Sequence, residues 1–143
     1  MGAGIPIAVY PAMLGGTIAG HFLGLGFDVI ARGAHSMWAP LGCSVLLEAL
    51  IGARYGAARV GHPLTPSQRG RLSVYYSLAL VAVSLPLAGW LMASKASRDA
   101  SVVGPAPHEL AVWLGIGAVG LVVYTAARYA LMGRFSSAPR RPA

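Results

Sequence analysis

The sequence predicts an all-α integral membrane protein, a four-helix bundle with both termini cytoplasmic. Composition is the first of three observations that predict it. Of 143 residues, 56% are hydrophobic and only 10% are charged, whereas soluble domains carry about 25% charged residues. Eleven basic and four acidic side chains are too few to cover a water-soluble domain of this size, and the mean hydropathy is +0.64. Second, the charges are clustered, which leaves apolar stretches of spanning length between them. Third, most of the basic residues fall on one side of the resulting topology. The single cysteine, Cys43, can form no internal bridge, so a disulfide scaffold is excluded. The composition excludes collagenous and disordered chains as well.

A helix crossing a bilayer needs about 20 mainly apolar residues. Met1 to Phe27, Leu72 to Ser94 and Leu110 to Ala127 contain no Asp, Glu, Lys or Arg, and Met37 to Gly56 contains only Glu48 and Arg54. Spans are therefore expected near residues 7–27, 37–55, 72–93 and 110–131, in one domain over 1–134. A basic, disordered cytoplasmic tail over 135–143 is expected to follow. The first span lacks a basic leader, and its apolar run exceeds the roughly 7–15 residues of a signal peptide, so it reads as a retained helix. Ser36 is positioned to cap the second helix. For the third, Thr65-Pro66-Ser67-Gln68 supplies an N-cap, a proline at the first helical position and a glutamine three residues after the cap. That start puts Arg69 and Arg71 at the interface, while Pro86 removes one ladder bond further along. Glu109 suits the first turn of the fourth helix.

Orientation follows from the basic residues. With four spans, Arg54, Arg59, Arg69, Arg71, Arg128, Arg134, Arg140 and Arg141 share the side of both termini, and Arg32, Lys95 and Arg98 share the other. The positive-inside rule makes the first side cytoplasmic, which implies a bacterial inner (plasma) membrane protein with N-in/C-in topology. Trp38, Trp90 and Trp113 fall at the outer helix ends, and Tyr55, Tyr75, Tyr76 and Tyr129 at the inner ends, as interfacial aromatic belts require. The excess positive charge is thus explained by topology, and nucleic acid is not an expected partner. The tail faces anionic lipid headgroups instead.

Small residues mark candidate packing seams. Gly16, Gly20 and Gly24 form two consecutive GxxxG steps, and Gly52 and Gly56 form another beside Ala49 and Ala53. In lipid, close backbone approach through such residues drives helix association. The seams serve either packing within the bundle or a homodimer. Ser77, Val81, Ser84 and Ala88 line one face of the third helix as a further seam. Gly115 to Gly120 matches GxGxxG literally but lies inside a span without a preceding strand, so no dinucleotide site is expected.

Glu48 is the exception among the charges, placed by helical rise just cytoplasmic of the bilayer midplane. An ionisable group there costs at least about 2.5–3.5 kcal/mol on insertion scales and should face protein or water. Tyr124 lies at a similar depth with Arg128 one turn below, and Tyr10 and Ser77 are candidates from the other two helices. An inner-leaflet polar cluster is expected, with Tyr124 donating to Glu48 and Arg128 compensating its charge. Glu48 is then either a structural group or a titrating, proton-coupling carboxylate. No metal site is expected. The nearest approach is His21, Asp28 and His35 at seven-residue steps, without an HxxxH, CxxC or HExxH spacing. His21 is expected to bond a neighbouring helix, and His35 and His108 to lie in loops. Cys43 reads as a small buried apolar residue. No haem ligand pair and no Ser/His/Asp or Cys/His set occurs at compatible depth, so neither a cofactor nor an enzyme is expected.

The stretch Glu48–Ser77 joins a small-residue helix, a basic loop, His62-Pro63-Leu64-Thr65-Pro66 and Arg71-Leu72. It resembles the junction in the ABZJ-type family of small four-span bacterial inner-membrane proteins. That family has no established activity, so the resemblance implies architecture alone. Two functional expectations remain. One is a non-catalytic helix bundle acting as an interaction or accessory subunit, partnered by the bilayer and by a membrane protein or a second copy. The alternative is a small proton- or ion-coupled transporter or channel using Glu48.

Overall fold

The computed structural model describes residues 5–32, 38–96 and 107–136. Four helices account for nearly all of them: α1 (Val9–Arg32), α2 (Trp38–Val60), α3 (Pro66–Ala96) and α4 (Pro107–Phe135). There is no strand among the described residues, and all four helices are long and apolar enough to cross a membrane. α3 and α4 contain their expected spans and run past them at both ends, whereas α1 and α2 begin two residues and one residue inside theirs and run five residues past the far end. Ser36, His35, Arg98 and the tail beyond Ser136 lie outside the described residues.

Local chemistry sets the helix ends. Pro11 and Pro40 each fall at the third residue of a helix, where the amide has no intrahelical acceptor to lose. Gly61, with φ of 77°, ends α2 by returning its N–H to the Ala57 carbonyl at 2.9 Å, the left-handed cap that favours glycine. Four residues later the capping box expected at α3 is present. The Gln68 amide donates to Thr65 Oγ1 at 3.3 Å, and Thr65 N–H donates to Gln68 Oε1 at 3.0 Å. Leu64, between these two caps, is buried against Gly56. Pro86 sits inside α3, which continues through it to Ala96. His108 belongs to the first turn of α4 rather than to a loop, because α4 begins at Pro107, a residue suited to a helix start.

Neighbouring helices pack in the order α1, α2, α4, α3, and the α1–α2 pair is the most extensive. Its seam is glycine. A Cβ on Gly20 would meet the backbone of Cys43 and Ser44 at 2.5–2.6 Å, and one on Gly24 would overlap the backbone of Ala39 and Pro40. Gly16 faces Leu47 and Ile51 in the same way. The expected Gly16/Gly20/Gly24 stripe is therefore occupied within the chain. Gly52 and Gly56 are different: they receive the side chains of Met132, Met13 and Leu64, so they are sockets rather than a backbone seam. Around them, Val9, Met13, Ala49, Ala53, Leu72, Tyr76 and Met132 form a buried apolar cluster toward the end of the bundle that holds the start of α1 and the end of α4, the inner end expected from the sequence. Among the described residues the outer end holds no such apolar cluster, and α1 meets α2 there through Gly20 and Gly24. Along α3 the expected seam breaks, with Ser77 buried but Ser84 and Ala88 exposed. The most apolar 18-residue window of α4 contains no buried residue.

Candidate functional site

Each helix brings its polar residues to the same depth with helical spacing. On α2, Ser44 and Glu48 are four residues apart; on α3, Ser73, Tyr76 and Ser77 share a face; on α4, Tyr124 and Arg128 are one turn apart. α1 contributes Thr17, on the helix whose Gly16 and Gly20 allow the close approach to α2. Within spans this apolar, such stripes must face one another, because an unpaired polar group in hydrocarbon is costly.

Glu48 and Arg128 are both 0% exposed and form an ion pair, with Arg128 Nη2 2.6 Å from Glu48 Oε2. Arg128 Nε donates to the same oxygen at 2.8 Å. The other carboxylate oxygen, Oε1, accepts from Thr17 Oγ1 at 2.6 Å and from the Tyr124 hydroxyl at 2.9 Å. An ionised carboxylate offers about four lone-pair sites; Glu48 accepts three hydrogen bonds from this chain, and Nη2 adds an ion-pair contact without a hydrogen bond. Thr17 in turn lies 2.5 Å from the Tyr76 hydroxyl. Since the Thr17 proton points to Glu48, Tyr76 is the donor in that contact.

Arg128 is held through Nε and Nη1, while Nη2 meets Glu48 only as an ion pair and makes no hydrogen bond. Nη1 donates to the Ser73 carbonyl at 3.2 Å and to Ser77 Oγ at 2.8 Å. Ser77 then donates to Thr125 Oγ1 at 2.7 Å, and Thr125 closes the chain on the Leu121 carbonyl at 2.7 Å. The guanidinium lies over the rings of Tyr76 and Tyr124, 4.7 Å from each centroid. Desolvated cation–π contacts contribute about 2 kcal/mol or more. Removing two charges from water costs several kcal/mol per ion, and the pairing offsets this only when geometry is good and the remaining donors and acceptors are satisfied. This cluster has the pairing and most of the hydrogen bonds, leaving only Arg128 Nη2 without a hydrogen bond of its own, and it ties all four helices together.

The structure thus brings together four of the five expected cluster residues: Glu48, Tyr124, Arg128 and Ser77. Tyr10 does not join them. It lies in the first turn of α1 and packs against the apolar core, two turns below the level that Thr17 occupies. Sequence reasoning missed Thr17, Ser73, Tyr76 and Thr125. The signal available was helical spacing, since Ser73 and Tyr76 lie on the face of Ser77, and Thr17 lies at the depth of Glu48.

The other expected residues disperse. His21 is exposed and bonds no neighbouring helix, because it lies beside Gly20 on a side of α1 turned away from the bundle. Asp28 is fully buried at the outer end of that seam, and His35 lies outside the described residues. Among the described residues, no group of three or more His, Cys, Asp or Glu side chains could hold a metal ion. Cys43 is half-buried, and its carbonyl faces Gly20. Gly115, Gly117 and Gly120 lie inside α4 with open space around them.

Two clefts border α4. One of about 470 Å³ separates the inner halves of α3 and α4, lined by residues that include Val74, Leu78, Val122 and Tyr129. The other, about 640 Å³, lies between the outer halves and touches α2 at Leu41, with Trp113, Gly117 and Tyr124 on its α4 wall. No protein-family model, curated protein or solved structure matches the chain.

Proposed function

We propose that this chain is a small multi-pass inner-membrane protein, oriented with both termini in the cytoplasm. In this reading it acts without catalysis, as an interaction or accessory subunit of a membrane complex. We also propose that its junction places it with the ABZJ-type family. The observation that carries the functional reading is the closure of the Glu48 cluster. The carboxylate accepts three hydrogen bonds from the chain itself and is ion-paired with Arg128, so both of its oxygens are engaged internally. A carboxylate so held serves as a lock between helices. The uncovered outer halves of α3 and α4 support the same reading, because they offer apolar surface that the chain does not use. The connections between helices, 33–37, 61–65 and 97–106, are too short for an inserted soluble domain.

The test is extraction from the native membrane in mild detergent, followed by sizing. Co-migration in a larger complex is expected, and replacing Gly117 in the outer cleft by Phe should release the chain from it without unfolding. A lone monomer for the wild type would sink this reading. One observation favours the second reading, a proton- or ion-coupled transporter. Tyr124 lines the outer cleft while its hydroxyl bonds Glu48, so the cleft reaches within one side chain of the carboxylate. Flux into proteoliposomes that is abolished by Glu48→Gln in a folded protein would establish it.

A further inference from the structure

We propose that the groove between the inner halves of α3 and α4 is a binding site for one anionic phospholipid, acyl chain in the groove and phosphate at Arg69 and Arg71. The proposal rests on membrane insertion but not on the accessory-subunit reading. The groove, about 470 Å³, has an almost wholly apolar surface. Apart from the Tyr129 hydroxyl, its polar lining groups are already used. Ser77 and Thr125 bond each other and the Leu121 carbonyl, and Ser73 Oγ points to Met132 Sδ at 3.8 Å. What remains facing outward is methyl and methylene surface from Val74, Leu78 and Val122, which suits a hydrocarbon chain and not a polar solute.

The inner mouth of this groove is cationic. Arg69 lies over the ring of Tyr129, 5.4 Å from its centroid, and packs into the space left by Gly133. Its Nε is buried without a hydrogen-bond partner. Arg71 is exposed and sits three and seven residues before Val74 and Leu78, on the same stripe of α3 that walls the groove. Side chains on a helix tilt toward its N-terminus, so both guanidiniums lean toward the interface, where the start of α3 adds its own partial positive charge. Neither arginine has a carboxylate partner among the described residues. The four acids of the sequence are Asp28, Glu48, Asp99 and Glu109. Glu48 is taken by Arg128, Asp28 and Glu109 belong to the opposite end of the bundle, and Asp99 lies outside the described residues. An apolar slot ending at two uncompensated arginines matches the two parts of an anionic lipid. Basic pockets between spanning helices bind such headgroups.

The experiment uses full-length protein in dodecyl maltoside, with phosphatidylglycerol, phosphatidylcholine and inorganic phosphate as separate probes. Native mass spectrometry counts bound lipid, and thermal unfolding reports stabilisation. One phosphatidylglycerol should be retained and should raise the Tm, while phosphatidylcholine and phosphate should do neither. Arg71→Gln, at an exposed side chain without other contacts, should weaken phosphatidylglycerol about fivefold. Val74→Trp should abolish binding by filling the groove, with an unchanged lipid-free Tm. Equal binding of both lipids, stabilisation by phosphate alone, or full binding by Val74→Trp would each overturn the proposal. A chain that stayed monomeric in water without detergent would instead overturn the membrane reading beneath it.

Discussion

The seam between α1 and α2 and the outer halves of α3 and α4 are both rich in glycine, yet they behave oppositely. Gly20 and Gly24 bring two backbones so close that neither has room for a methyl group. Gly115, Gly117 and Gly120 on α4 have nothing within 4 Å, and the neighbouring side chains, such as Trp113 at 67% exposed, face outward. A glycine stripe packs only where a partner helix presents backbone at the same level, as α2 does with Pro40 and Ser44. α3 is held to α4 at the depth of Arg128, and above it the two helices are separated by the outer cleft. The bundle is thus held at its inner half by polar bonds and an apolar cluster and along α1–α2 by glycine, while clefts run along α3 and α4.

The largest effect should come from the inner lock. Glu48→Ala leaves Arg128 buried without its counter-charge and should cost about 3–5 kcal/mol, measured by reversible unfolding in mixed micelles. Replacing both partners together, with Glu48→Leu and Arg128→Met, should recover most of that loss. A Glu48→Ala cost below about 1 kcal/mol would mean that the pair does not hold the helices.

Next comes the glycine seam. Gly24→Ala should destabilise by about 1–3 kcal/mol, because backbone rather than a flexible side chain must yield. A neutral result would break the distinction drawn between the two regions. Tyr124→Phe removes one donor from Glu48 and should cost about 0.6–1.7 kcal/mol, the range for hydrogen bonds between spanning helices. The smallest effect is expected in the open region. Gly117→Ala should leave stability unchanged or raise it by up to about 1 kcal/mol through helix propensity alone. Destabilisation as large as at Gly24 would show that α4's outer half is packed after all.

Much of this was legible before any coordinates. The four helices followed from three charge-free stretches and one that holds only Glu48 and Arg54, since length and apolarity suffice to define a helix of spanning length. The capping box at Thr65 was readable because caps depend on residues only three apart in sequence. The pairing of Glu48 with Tyr124 and Arg128 was readable because depth follows from helical rise and a buried charge demands a partner. Tyr10 was misplaced for want of an axial register: the stagger of α1 against α2 put Thr17, not Tyr10, beside Glu48. The Gly52/Gly56 pair was read as a seam, yet it turned out to be a socket for Met132, Met13 and Leu64. A motif of small residues specifies space and leaves open what fills it.

The sequence by itself determined the helical class, the number of membrane-length helices and the presence of one carboxylate needing compensation, because these depend on composition and local periodicity. Only the tertiary structure decided which donors engage that carboxylate, which glycines touch backbone and which halves of α3 and α4 stay uncovered. Those outcomes depend on the rotation and stagger of whole helices. In each apolar helix nearly every face is equally apolar, so no sequence pattern marks the face that turns inward.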